Sequence, residues 1–177
     1  MKIDAYETNE DMGKCARPTA AEHRMNALTI SFDPIRLDRD RVHAWLSREA
    51  YWSIGLPRAV FDRAVDNSLV ACAFVTDEQV GFARIVTDRA TYAWLCDVFV
   101  VPSMRGRGIA ALLIAAILDH AELQGLRRWA LRTRDAHALY RRFGFVDLAE
   151  PQRAMERHNP HVYRSPGAQI PPQGELK

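Results

Sequence analysis

The sequence predicts an α+β domain: a mixed, mostly antiparallel sheet flanked by helices, with one β-α-β crossover at its centre. Three observations carry this. Apolar runs at 69–75, 80–87 and 91–101 follow one another with only short polar turns between them, the pattern of an antiparallel meander. The third run ends at Pro102 and passes through a basic, glycine-rich turn into a long apolar helix, after which "LRRWALRT" reads as another strand. Two helical patterns precede the meander, so helices and strands do not alternate as in a fully parallel α/β chain.

The elements follow in order. Residues 1–26 show no sustained hydrophobic period and read as a mobile leader. "ALTISF" is a first strand, stopped by Asp33-Pro34. In "DRDRVHAWLSREAYW", Val42, Trp45, Leu46 and Glu49 recur at helical spacing and Asp38 can cap the start. Gly55 and Pro57 break that helix, and Pro57 suits the first turn of the next, "PRAVFDRAVDNS". "LVACAFV" and "VGFARIVT" form a hairpin, and "TYAWLCDVFVV" is the next strand. A helix is expected from about Gly108 to Leu123, ended by Gly125. After the strand at 126–133, "AHALYRRF" makes a short helix stopped by Gly144, and "FVDL" is a last short strand. From His158 the chain is rich in proline and polar residues, a tail expected to be extended or disordered. The domain therefore spans 27–157, and no internal repeat is visible.

Composition bounds the function. A chain of 177 residues suffices for one domain with a sizeable core. A net charge of +2 gives no reason to expect a nucleic acid or an anionic membrane as partner. No uncharged apolar run reaches the roughly 18–20 residues of a membrane span, and the polar start lacks the apolar core of a signal peptide. Cys15, Cys72 and Cys96 are odd in number and far apart, with neither metal spacing nor a disulfide framework. That pattern suits a cytoplasmic location.

The turn from Arg105 to Ala111 is where chemistry is expected. N–H groups at a helix start lack intrahelical partners and carry the positive end of the helix dipole. Gly106 and Gly108 remove the Cβ that would hold a ligand off that backbone, and Arg105 and Arg107 add charge. The result suits a pyrophosphate. A plain glycine turn with solvated arginines is the bland alternative. Gly106-x-Gly108-x-x-Ala111 also matches the dinucleotide fingerprint, but its glycines come four residues after the strand, past Pro102, and follow a meander instead of opening a domain. No Gly-Lys-Ser/Thr follows, which excludes a P-loop.

Arg105-Gly106-Arg107-Gly108-Ile109-Ala110 resembles the R/Q-x-x-G-x-G/A segment of the GNAT superfamily of N-acetyltransferases. The resemblance extends to the "DVFVVP" strand before it and to "DAHALYRRFGF", Asp135 to Phe145, which is similar to the family's late helix with its tyrosine and closing Gly-Phe. It covers about 28–148, and Ala110 stands where glycine is commoner. The resemblance implies acetyl-CoA as co-substrate, no metal, and a primary amine on a small molecule or peptide as acceptor. It implies that the strand before the turn splays from its parallel neighbour and pairs with pantetheine through the backbone of Val98, Phe99 and Val100. One N–H there would polarise the thioester carbonyl. Arg105, Gly106, Arg107, Gly108, Ile109, Ala110 and Ala111 would hold the phosphates. Tyr51 and Trp52, at the end of the first helix, would flank the acceptor; core packing is their bland alternative. Many relatives dimerise, so a homodimer is among the expectations.

Tyr140 matches the family's general acid. A tyrosine titrates near pH 10 against about 8.5 for a thiol, so it can protonate a leaving thiolate at neutral pH. Its other reading is a core tyrosine beside Leu139 and Phe143. Asp97 interrupts an apolar strand, and simple alternation puts it on one side with Leu95 and Phe99. A carboxylate there needs a cleft or a partner. It could accept an amine proton, with burial raising its pKa, bind the cationic amine, or pair with Arg84 or Arg132. Cys96 sits where many relatives carry glutamate; with no histidine adjacent in sequence, direct transfer to the amine is expected. His137 lies one turn before Tyr140 and could relay a proton, or simply be hydrogen-bonded at the helix start. His158-x-x-His161 is too isolated for a metal site, and Arg127-Arg128 and Arg141-Arg142 read as solvated faces, without the interleaved aromatics of a nucleic-acid platform. A non-catalytic acetyl-CoA sensor of the same fold is the alternative function.

Overall fold

The computed structural model describes residues 28–163. The leader and the end of the tail fall outside these. A five-stranded sheet runs β1 (Leu28–Ser31), β2 (Leu69–Val75), β3 (Glu78–Thr87), β4 (Tyr92–Val100), β5 (Arg128–Leu131), in chain order across the sheet. The first four strands are antiparallel, and β5 is parallel to β4.

Strand alternation sorts the apolar residues onto two faces. Val70, Cys72, Phe74 and Phe82 pack under α1 (Arg39–Arg48) and α2 (Arg58–Asp66), which bring Val42, Trp45, Leu46, Phe61 and Val65. Ala71, Ala73, Ala83 and Ile85 face α3 (Ile109–Leu118), with Leu113, Ile114 and Ile117. Gly81 lets α3 lie close: a Cβ there would come within 3.1 Å of both Ala73 Cβ and Leu113 Cδ1. Asp38 caps α1 by accepting from the Arg41 N–H at 2.9 Å. Arg39 bonds Asp66 at 2.6 Å, and Arg58 bonds Asp62 at 2.8 Å and also Asp40, tying α1 to α2.

Three element ends differ from the sequence reading. The first helix stops at Arg48, so Tyr51 and Trp52 lie in the turn beyond it. Gly55 N–H and the Ser53 hydroxyl take the carbonyls of Ser47 and Leu46, which folds the chain back on the helix end. The long apolar helix stops at Leu118: Gln124 Nε2 donates to the carbonyls of Leu118 and His120, and a 3₁₀ turn, Ala121–Leu123, replaces the last helical turn. "FVDL" is not a strand. Gly144, at φ 81°, ends α4 (His137–Arg141), Phe145 N–H returns to the Tyr140 carbonyl, and Arg141 pairs with Asp147 at 3.1 Å. Those bonds turn the chain off the sheet, leaving Val146 84% exposed.

Candidate active site

β4 and β5 pair only from Tyr92↔Arg128 to Leu95↔Leu131; beyond this β4 continues without β5. The parting coincides with a bulge. Cys96 opposes Arg84 and Phe99 opposes Phe82, so Asp97 and Val98 share the place of one residue opposite Ala83. Asp97 has a φ of 54°, a left-handed conformation uncommon outside glycine. The extra residue inverts the alternation. Leu95 packs with the α3 cluster, whereas Phe99 packs with the α1–α2 cluster and stacks on Trp45 at 5.4 Å. The expectation that Asp97 shares one side with both is therefore corrected, and Phe99 can serve a cleft ligand only through its backbone.

The bulge brings Asp97 to Arg84. Arg84 Nε donates to Asp97 Oδ2 at 2.7 Å, and Trp52 Nε1 donates to Oδ1 at 3.2 Å. Both side chains of the ion pair are less than a fifth exposed. Burial opposes the charge on Arg84, but Asp97 and its other neighbours outweigh it and raise the guanidinium above its ordinary pKa. Arg132, the other candidate partner, bonds Glu156 instead. We expect Arg84→Met to lower stability by about 3 kcal/mol in urea unfolding, because it strands a largely covered carboxylate; a change under about 1 kcal/mol would mean that solvent reaches Asp97 freely. The Cys96 thiol donates to the Arg84 carbonyl at 3.3 Å, and burial, with the Asp97 charge beside it, pushes its pKa up to about 12.

Past the bulge the chain enters the basic turn. Gly106 and Gly108 have φ of 74° and 79°, and a Cβ at either would meet nothing within 4 Å. Gly108 is the N-cap of α3. No N–H from Gly106 to Ala111 finds a backbone acceptor among the described residues. An open cavity of about 250 Å³ is lined by Gly106 and Gly108 to Ala111 and, from the α4 segment, by Leu139 and Arg142. Arg142, read as solvated, thus borders the turn. Arg105 folds back, donating to the Val100 carbonyl at 2.9 Å with its guanidinium 5.4 Å from the Phe99 ring centre. Arg107 is exposed. A larger concavity, about 390 Å³ beside Arg36 and Glu78, lies away from the parted strands; its Arg41 is already paired with Asp38 and Glu78.

Tyr140 is buried in the α3-side cluster, edge-on to Phe145. Its hydroxyl bonds no described residue, yet it is not sealed from solvent. Burial, reinforced by Tyr51 and Asp135, pushes its pKa up to about 12. His137 begins the same helix. Tyr51 and Trp52 stand edge to face, 45% and 43% exposed, so they are not core. Arg134 lies over the Tyr51 ring at 3.7 Å, a contact with no sequence signal. Asp97, Trp52, Tyr51 and Tyr140 therefore gather around the place where β4 and β5 part.

Residues 39–145 match the model of the Acetyltransferase (GNAT) family. The chain belongs to the GNAT family of acetyltransferases. A Gibberella zeae protein named as an acetyltransferase, FG08082, is 31% identical over 163 residues, with 79% of this chain and 90% of that protein covered. A crystal structure named as a GNAT-family acetyltransferase, from Xanthomonas campestris pv. campestris, is 45% identical with a TM-score of 0.76 over 78% of this chain and 97% of that one. A Deinococcus radiodurans structure, also named as an acetyltransferase, shares the fold at a TM-score of 0.62 and 16% identity, covering 80% and 95% of the two chains. In this GNAT acetyltransferase no helix among the described residues is long and apolar enough to cross a membrane. None of the described His, Cys, Asp and Glu residues form a group of three or more that could hold a metal ion.

Proposed function

We propose that the enzyme transfers the acetyl group of acetyl-CoA directly to the primary amine of a small-molecule or peptide acceptor. The observation that carries this is one continuous binding track. The β4 backbone released by β5 leads into six successive N–H groups without backbone acceptors at the start of α3. Glycines without neighbouring atoms at 106 and 108 fit the close approach of a pyrophosphate to that backbone. Acetyl-CoA, when bound, supplies an activated thioester.

The residues divide the work. Gly106 to Ala111 hold phosphate oxygens through N–H groups, with Arg105 and Arg107 adding charge. Val98, Phe99 and Val100 offer backbone to the pantetheine arm, and an N–H at the bulge polarises the carbonyl. Asp97, held by Arg84 and Trp52, accepts a hydrogen bond or a proton from the amine, and Tyr51 and Trp52 flank it. Tyr140, protonated at neutral pH, donates to the departing thiolate. A thiol titrating near 12 is a poor nucleophile at neutral pH, which favours direct transfer over a Cys96 intermediate. We infer a cytoplasmic setting, where acetyl-CoA is available and separated thiols stay reduced.

Calorimetric titration with acetyl-CoA, CoA and NAD tests the reading. Dissociation constants on the order of micromolar for the first two, and none for NAD, are expected. Absence of CoA binding would overturn it. Binding without thiol release across an amine panel would favour the sensor.

A further inference from the structure

The segment after α4 does not leave the cleft. It returns across it and touches both lips. On the β5 lip, Arg132 bonds Glu156. On the opposite lip, the turn between α1 and α2, the Tyr163 carbonyl oxygen lies 3.4 Å from where a Cβ on Gly55 would stand. The Tyr163 phenol is also close enough to Arg84 to act on its charge. A second bridge crosses nearby, from Arg134 beyond β5 to the ring of Tyr51.

We propose that Glu156 to Tyr163 form the outer wall of the acceptor site and restrict the acceptor to a small amine, excluding the amino terminus or a lysine of a folded protein. This rests on the reaction proposed above. Close to these contacts are an acid, Asp97, bonded by Trp52 Nε1 at 3.2 Å, and the aromatic rings of Trp52 and of Tyr51, which stands edge-on to it. That combination suits a compact apolar or aromatic amine, whose cationic form the rings also attract. A protein terminus must thread several residues to reach Asp97, and two bridges lie across its path. The Arg132–Glu156 pair is more than half exposed on both sides, and such a pair holds only weakly. Small acceptors can therefore enter and leave as the strap opens, without unfolding of the domain.

The test compares the full-length enzyme with Glu156→Gln and Tyr163→Ala. Thiol release from acetyl-CoA is followed with benzylamine and tyramine, and with an unstructured ten-residue peptide bearing a free amino terminus. Amide hydrogen exchange is read over Tyr51–Gly55 in each protein. The wild type should acetylate the small amines and leave the peptide largely untouched. Both variants should raise the peptide-to-amine ratio of kcat/KM at least tenfold and speed exchange over Tyr51–Gly55. A wild type that accepts the peptide as readily as the amines, or that acetylates neither amine, overturns the proposal. So does a ratio that stays fixed while exchange shows the strap released, and so does exchange at Tyr51–Gly55 indifferent to both variants. Failure to bind acetyl-CoA in calorimetry instead removes the underlying reaction, with exchange still reporting on the strap alone.

Discussion

Gly108→Glu should weaken acetyl-CoA binding by at least about a hundredfold. The new carboxylate would stand at the N-cap of α3, where the anion is proposed to sit. Two like charges about 4 Å apart repel by about 4 kcal/mol at an effective dielectric of about 20, and each 1.4 kcal/mol is tenfold in affinity. A Cβ at this position would meet nothing within 4 Å, so the backbone cost is that of a left-handed non-glycine residue, roughly 1–2 kcal/mol. Gly125→Ala is the control. Gly125 has a φ of 73° and open space around it, but it lies beyond the far end of α3. It should share the stability loss and leave binding intact. Equal effects of the two changes on binding would show that strain, not charge, disturbs the turn. Adding Arg105→Ala should deepen the loss only modestly, because part of that guanidinium already serves the Val100 carbonyl.

Tyr140→Phe should lower kcat by about a hundredfold to a thousandfold, within the range for loss of one general acid, with the acetyl-CoA dissociation constant nearly unchanged. The hydroxyl bonds no described residue, so its removal orphans no partner and costs little stability. The pH profile separates acid from bystander. With a pKa of about 12, the phenol remains a proton donor throughout the usual assay range, so the wild-type rate should show no descending limb below about pH 10. Folding raises this pKa above its unfolded value. The stability it contributes is therefore complete below about pH 10 and disappears as pH climbs toward 12. A Phe variant with wild-type kcat would return Tyr140 to the core.

The order of elements and the position of the glycine turn at 105–111 were legible because both rest on local rules. Alternating runs, a proline stop and paired glycines depend on neighbours in sequence, and the structure follows them from Leu69 to Leu118. What was not legible depends on distant atoms. Nothing in "CDVF" announces a left-handed aspartate, since the bulge arises where β5 ceases to pair and Arg84 draws Asp97 across. The Arg84 pairing was among the readings only because an isolated acid in an apolar strand demands a partner. "FVDL" alternates like a strand, but Gly144 and the Arg141–Asp147 pair steer it away. The returning tail has no local signature. Its proline-rich composition predicts extension, and only the opposite lip of the cleft shows where it goes.

The parting of β4 and β5 also governs the order of kinetic events in the proposed reaction. The sheet acts as a partition with a slot at the bulge. The glycine turn proposed to hold the phosphates lies at the start of α3, which packs on one face, while Asp97 is bonded by Arg84 and by Trp52 of the turn after α1, which packs on the other. Donor and acceptor thus come to the slot from different sides, and neither stands in the other's doorway. A ternary complex can assemble by either route, each product can leave as it came, and dead-end inhibition by an acceptor analogue should not be relieved by more acetyl-CoA.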